Sequence, residues 1–245
     1  MEKQEYKNMF LHENEFWWYT TLHSLIVSII ARKKTKDLTI FDAGCGTGRM
    51  MELLQAFGDV SGIDYSEDAV YYSKSRGLKK VSQENLNTWG DSKNECYDII
   101  TSIDVLYHKA IQNEDDVLQK FHKSLKKDGL LIINLPAFNL LKREHDKVVY
   151  TKRRYLKKSF VAQVEKAGFS VKKATYRMPH LFFIIILQKG LRKIFGDKET
   201  NSDVQKIPKY INAFFSFLGR IENYYILNLG NIPFGSSLFI VAKKR

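Results

Sequence analysis

The sequence contains little cysteine and little proline. Among its 245 residues there are two cysteines, Cys45 and Cys96, and four prolines. The two cysteines are not in a CxxC pair and give neither the disulfide framework of a small secreted protein nor a zinc site. Four prolines and 14 glycines exclude collagen-like and low-complexity chains. We therefore expect a folded chain in a reducing compartment.

A hydrophobic run long enough to cross a bilayer is also missing. The longest strongly apolar run extends from Leu181 to Leu187, whereas a spanning helix needs about 20 residues. The chain begins with MEKQE, which is too polar and acidic for a signal peptide. The sequence predicts a cytoplasmic protein, either a monomer or a homodimer, without a metal site.

Acidic residues are outnumbered by basic ones. The sequence contains 27 Asp and Glu residues and 39 Lys and Arg residues, which give a formal net charge of +12. A surplus of this size can attract phosphates, nucleic acid or an anionic membrane. Because the lysines are spread along the whole sequence, a solvated surface is the favoured interpretation. Charge alone identifies no partner.

Short apolar runs alternate with longer amphipathic stretches from about residue 38 to residue 135. This pattern is typical of βαβ units and a parallel sheet. The first buried strand is predicted over Leu38–Phe41, and residues 113–126 predict a helix that leads into a strand at Leu130. We expect a single domain over residues 1–245.

Three segments do not fit this alternation. They are an aromatic, helical N-terminal cap (residues 1–36), a basic loop (residues 136–155) and a helical insertion (residues 179–235). Since a rigid sheet positions the loops and insertions that it carries, such segments usually determine specificity.

A glycine-rich turn follows the first strand. Residues 42–48 read DAGCGTG and precede a predicted helix, so a ligand can lie directly against the backbone of the turn. The dinucleotide fingerprint requires Gly or Ala where this sequence has Arg49, and the phosphate-binding loop is absent. A second acid, Asp64, ends the next strand, where it can accept both hydrogens of a ribose diol. The pattern favours a nucleoside with an amino-acid tail over a dinucleotide.

These motifs and three later ones resemble those of the class I S-adenosylmethionine-dependent methyltransferases, in particular a bacterial type 11-like subgroup. The later motifs lie at residues 97–102, 104–108 and 125–131, and the likeness covers about residues 38–135. The resemblance implies a Rossmann-like, doubly wound α/β fold: a seven-stranded, mostly parallel sheet with helices on both faces, an antiparallel last strand and a helical insertion before it. It also implies an enzyme with S-adenosylmethionine as its cofactor.

The same resemblance implies which residues hold the cofactor. Asp64 is expected to bind the ribose hydroxyls and Tyr65 to pack beside the adenine, while Ser102 and Ile103 face the sulfonium. Ser82 stands where the family often has an Asp near the adenine amine. The expected cofactor residues are Tyr19, Asp42, Gly44, Gly46, Gly48, Asp64, Tyr65, Ser82, Gln83, Ser102 and Ile103.

Two histidines are candidate catalytic residues. Methyl transfer from a sulfonium is an in-line displacement, so the enzyme aligns the acceptor and, for a hydroxyl, removes a proton. His108 follows the predicted central strand, and imidazole titrates near neutrality; the alternative is a histidine that orders this loop. His145, beside Asp146 in the basic loop, is the second candidate, and the alternative there is a solvated lid.

The methyl acceptor is predicted to be a small molecule rather than nucleic acid. Residues 101–104, TSID, differ from the Asn/Asp-Pro-Pro-Tyr/Phe motif of enzymes that methylate the exocyclic amines of bases. Cytosine-C5 methyltransferases need a Pro-Cys nucleophile, and no Cys of this sequence follows a Pro. The helical insertion can cover an apolar or lipid-linked acceptor or lie peripherally on a membrane, although such segments are often core or a dimer face. O-methylation is slightly preferred. The alternatives are a catalytically inactive S-adenosylmethionine-binding regulatory protein and an RNA methyltransferase.

Overall fold

The strands and helices are taken from a computed structural model that describes residues 1–90, 93–195 and 207–245. The strands within these ranges are β1 (Leu38–Ala43), β2 (Gly58–Asp64), β3 (Val81–Gln83), β4 (Tyr97–Ile103), β5 (Leu125–Pro136), β6 (Phe169–Arg177) and β7 (Ser237–Lys244). The helices are α1 (Lys3–His12), α2 (Trp17–Ala31), α3 (Arg49–Leu54), α4 (Glu67–Ser75), α5 (Glu114–Ser124), α6 (His145–Val148), α7 (Lys157–Lys166), α8 (Pro179–Phe195) and α9 (Lys209–Asn228).

All seven strands form one sheet in the order β3-β2-β1-β4-β5-β7-β6. The pairs β1·β2, β2·β3, β1·β4 and β4·β5 are parallel, whereas β7 runs antiparallel between β5 and β6. The predicted Rossmann-like, mostly parallel sheet with an antiparallel last strand is confirmed.

The central strands are apolar because both faces of the sheet are covered. Phe41 and Ile100 belong to the core cluster that includes residues of α5 and α7. Their neighbours Ile40 and Ile99 point to the opposite face, where residues of α2, α3 and α9 complete a second cluster. Alternate residues of each strand therefore anchor helices on opposite sides of the sheet.

The boundary between α5 and β5 differs from the sequence prediction. The side chain of Asn113 accepts a hydrogen bond from the Asp115 backbone N–H at 3.0 Å and caps α5. The helix ends at Ser124 and β5 begins at Leu125 rather than Leu130. Leu125 pairs with Tyr97 across a register irregularity in β4, and this added pairing extends the strand toward its amino end.

The N-terminal cap packs on the helical insertion through α2 and α9. A Cβ atom on Gly219 would lie 2.4 Å from Thr21 Cγ2, so a side chain at this position would force the two helices apart. Asn223 Nδ2 donates to the Thr21 carbonyl oxygen at 2.7 Å. Residues 196–206 of the insertion lie outside the described residues, and among those described no helix is long and apolar enough to cross a membrane.

Candidate active site

A cavity of about 820 Å³ lies at the carboxyl ends of β1, β2 and β4. Part of its lining comes from Gly44, Asp64 and Ile103, which end these strands or follow them. The N-terminal cap, the basic loop and the helical insertion supply further lining residues. In a doubly wound sheet ligands bind at this edge, where the strand order reverses between β1 and β4.

The glycine-rich turn has the backbone conformation that glycine favours. Gly44, Gly46 and Gly48 have φ values of +82°, +55° and +85°, and Gly44 and Gly46 line the cavity. Gly48 does not line it. A Cβ atom there would lie 2.5 Å from Leu78 Cδ1, so the third glycine is required for packing beside α4.

Asp64 is held in place by backbone groups. Its Oδ2 accepts from the Gly46 N–H and its Oδ1 from the Ser66 N–H, each at 2.9 Å. Burial raises the pKa of this carboxyl, and the backbone hydrogen bonds oppose that rise. Each carboxylate oxygen keeps a second lone pair, and Asp64 lines the cavity. The carboxyl group is therefore oriented to accept hydrogen bonds from a ligand diol.

Asp42 is buried beside the same turn. Its Oδ1 accepts from Thr101 Oγ1 at 2.7 Å, which joins β1 to β4. Burial raises the pKa of Asp42 to about 7, although the Thr101 hydrogen bond opposes the rise. This expected cofactor residue lines the cavity and also links two central strands.

Helix α1 lies against the glycine-rich turn. A Cβ atom on Gly46 would lie 3.2 Å from Met9 Cε. Just beyond the helix, Glu13 accepts hydrogen bonds from Thr47 Oγ1 and from Arg76, the latter at 2.6 Å. These contacts join the N-terminal cap to the cofactor turn. No motif in the sequence indicated them, because they join residues that are far apart in the chain.

The remaining expected cofactor residues are divided between the cavity and its surroundings. Tyr19, Tyr65 and Ile103 line the cavity. Ser102 is fully buried and outside the lining. Ser82 and Gln83 are exposed on the short edge strand β3 and do not line the cavity either; the residues that follow them do, namely Glu84, Asn85 and Leu86.

His108 lines the cavity but does not have the expected near-neutral titration. Its Nδ1 accepts from the Ala110 N–H at 3.1 Å, and its Nε2 lies 3.1 Å from the Met1 amino nitrogen. Burial lowers the pKa of His108 to about 4. Both ring nitrogens are therefore engaged within the chain, and the neutral imidazole is a weak proton acceptor.

His145 also lines the cavity, at the start of α6. Its Nδ1 is buried and has no hydrogen-bond partner among the described residues. The neighbouring Asp146 is paired with Arg154 instead, since both Asp146 oxygens accept from its guanidinium, at 2.8 and 2.9 Å. This ion pair is buried on both sides and holds the basic loop closed on itself.

Asp104 is a cavity residue that was not among the predicted site residues. It follows β4 directly, with a φ of +54°. Its carboxyl oxygens accept from Asn134 Nδ2 at 3.2 and 3.0 Å. Burial raises the pKa of Asp104 to about 7, and the Asn134 hydrogen bond opposes the rise. An acid directly after the central strand was the available signal.

A family model described as a methyltransferase domain matches residues 34–200. The chain belongs to this methyltransferase family. Among curated protein sequences no match is found.

Solved structures share the fold of this methyltransferase at low sequence identity. One is a chain of the complex that contains the Haloferax volcanii Trm112 methyltransferase activator (TM-score 0.62, 14% identity, covering 98% of this chain and 93% of that one). Another is an S-adenosylmethionine-dependent methyltransferase from Archaeoglobus fulgidus (TM-score 0.58, 18% identity, covering 91% of this chain and 94% of that one). The third is Haemonchus contortus phosphoethanolamine N-methyltransferase 2 with S-adenosylmethionine bound (TM-score 0.54, 15% identity, covering 86% of this chain and 49% of that one).

The predicted enzyme class and cofactor are confirmed: the protein is a class I S-adenosylmethionine-dependent methyltransferase. The cavity residues fit this cofactor. Asp64 offers lone pairs to ribose hydroxyls, and the glycine-rich turn lines the cavity at Gly44 and Gly46. When bound, S-adenosylmethionine supplies an electrophilic methyl group on a positively charged sulfur.

Proposed function

We propose that this methyltransferase methylates a small amphipathic molecule, at a hydroxyl oxygen in preference to nitrogen or carbon. The observation that carries the proposal is the apolar lining that the helical insertion adds to the cofactor cavity. These apolar lining residues are Leu181, Ile184 and Ile185 of α8, with Ile207, Ile211 and Phe215.

The polar groups of the cavity come from the loop after β4 and from the basic loop. Asp104, His108 and His145 all line it. An acceptor with a hydroxyl near these groups and an apolar part against α8 and α9 satisfies both regions. A ligand with strong negative charge is less well matched, because Arg154 is already neutralised by Asp146.

Asp104 is the group best suited to take the hydroxyl proton. Its pKa of about 7 lies near the operating pH, where a general base is most effective. His108, with a pKa of about 4, stays neutral at this pH and is a poorer proton acceptor than Asp104. The largely apolar lining strengthens the electrostatic interaction of Asp104 with the acceptor.

The acceptor class is tested with tritiated methyl from S-adenosylmethionine. The enzyme is incubated with a lipid extract, a water-soluble metabolite extract and total RNA, each from bacterial cells. We expect label in a small product that partitions into organic solvent. Ile184→Asp should reduce this transfer at least tenfold with unchanged S-adenosylhomocysteine binding, whereas Tyr71→Asp, which alters an exposed ring on α4, should leave it unchanged.

Two results would contradict the proposal. Label in RNA alone would identify an RNA methyltransferase. Binding of S-adenosylhomocysteine without transfer to any fraction would favour the catalytically inactive regulatory protein.

A further inference from the structure

The outer face of α9 is apolar and exposed. Tyr210, Phe214, Phe217, Ile221 and Tyr224 have exposed fractions of 74%, 57%, 57%, 52% and 63%. Their spacing alternates between four and three residues, which places them in one stripe along the helix. The other side of α9 is buried against the N-terminal cap, so the stripe is separate from the protein core.

Helix α8 is apolar on two faces as well. Leu181, Ile184 and Ile185 line the cavity, whereas Phe183 and Leu187 are 59% and 64% exposed. The two helices that line the cavity thus each expose a second apolar face. The five large exposed side chains in one row on α9 form a larger apolar patch than single scattered residues do, and such a patch marks an interaction site.

The charges on these helices are of one sign. The sequences of α8 and α9 contain one acidic residue, Glu222, which is buried and paired with Arg177. Lys209 and Arg220 are exposed on α9. The whole chain carries a net charge of +12. Within the described residues of α8 and α9, the surface has apolar and aromatic side chains, flanking cations and no exposed acid, which is complementary to anionic lipid headgroups above acyl chains.

We propose that the outer faces of α8 and α9 dock on an anionic membrane and lie in its interfacial plane. Phe214, Phe217 and Ile221 enter the acyl boundary, and Lys209 and Arg220 contact anionic headgroups. Docking does not depend on the proposed function. Delivery of a membrane-borne acceptor into the cavity between the same helices does rest on it.

Flotation with lipid vesicles tests the docking without cofactor or acceptor. The full chain is mixed with vesicles of equal phosphatidylglycerol and phosphatidylcholine, or of phosphatidylcholine alone, at low and high salt. We expect flotation with the anionic vesicles at low salt, and at least fivefold less with phosphatidylcholine alone or at high salt.

Three surface variants locate the contact. Phe214→Ser/Phe217→Ser and Lys209→Glu/Arg220→Glu should each lower binding to anionic vesicles at least tenfold. Tyr71→Ser removes an equally exposed ring from α4 and should bind as the wild type does. S-adenosylhomocysteine binding confirms that each variant is folded.

Three results would overturn the proposal. They are no flotation of the wild type with anionic vesicles at low salt, equal flotation of the Phe214→Ser/Phe217→Ser variant, and a wild-type homodimer that this variant dissociates without any change in vesicle binding. The last result would assign the face to a second copy of the chain. Methyl transfer enters none of these readouts, so failure of the docking is distinguishable from failure of the proposed function.

Discussion

Replacement of Glu222 by glutamine tests how the helical insertion is anchored to the sheet. Arg177, at the end of β6, is fully buried, and its Nε lies 3.4 Å from Glu222 Oε1. None of the guanidinium nitrogens has a hydrogen-bond partner within the described structure. Glu222 Oε2 accepts from the Met178 N–H at 2.7 Å. The carboxylate therefore both compensates the buried charge and fixes the turn between β6 and α8.

The expected loss is large because one buried charge remains. Removing one partner of a buried ion pair typically costs about 3–5 kcal/mol. Asp104 also interacts favourably with the Arg177 charge, which places the expected loss toward the lower value. For a chain of this length each kcal/mol corresponds to roughly 2–4 °C, so a loss near 3 kcal/mol should lower the melting temperature by about 6–12 °C.

Urea unfolding monitored by circular dichroism at neutral pH measures the effect. Arg177→Met/Glu222→Gln, which removes both charges, should recover at least half of the loss. Asp59→Asn breaks the exposed ion pair with Lys80 and should cost less than about 1 kcal/mol. Two results would refute the reasoning. One is a free energy of unfolding of Glu222→Gln within about 1 kcal/mol of the wild-type value, and the other is a double variant that is no more stable than Glu222→Gln.

Three further predictions concern the cavity. With the active acceptor fraction, the rate of methyl transfer should rise roughly tenfold between about pH 6 and pH 8, because Asp104, with a pKa of about 7, ionises in this range. Asp104→Asn should abolish this rise. A rate that is already constant above about pH 5 would favour His108 as the proton acceptor. Gly44→Ala should destabilise the fold by about 3 kcal/mol, because its Cβ would lie 2.4 Å from Val105 Cγ2 at a φ of +82°. Urea unfolding should show that Val105→Ala restores part of this loss when it is added to Gly44→Ala. Equal stability of Gly44→Ala and the wild type would contradict the prediction. The raised pKa of Asp42, about 7 against 3.8, means that its contribution to stability is complete below about pH 4 and is lost as the pH rises through about 7. The free energy of unfolding should therefore fall less between pH 5 and pH 8 in Asp42→Asn than in the wild type, and an equal fall in both would count against a raised pKa.

The fold and the cofactor turn could be predicted because their signals are local. The glycines at residues 44–48 and the acid at Asp64 lie within a few residues of the strands that place them. The alternation of strands and helices predicted a parallel sheet for the same reason, whereas the seven-stranded order with an antiparallel last strand was implied by the family resemblance. Ser82 and Gln83 were expected in the cavity by family position, but the edge strand β3 ends before the lining begins, and Glu84 follows it into the cavity.

The properties that depend on long-range burial could not be predicted. The low pKa of His108 arises from burial next to segments distant in the chain, and the near-neutral pKa of Asp104 arises in the same way. The apolar run at Leu181–Leu187 indicated a helix that covers an apolar acceptor. Which side chains of this run face the cavity is determined by the packing of α8, and the sequence does not show that packing. Cytoplasmic location and oligomeric state stay predictions.

Calorimetric titration with S-adenosylhomocysteine tests most directly that this cavity is the cofactor site. The wild type should bind one equivalent. Asp64→Asn should bind roughly 10- to 100-fold more weakly, since a hydrogen bond to a charged group contributes about 1.5–3 kcal/mol, with thermal unfolding measured in parallel to show that the variant is folded. Absence of binding by the wild type, or equal affinity of a folded Asp64→Asn variant, would contradict the assignment of the cofactor to this cavity.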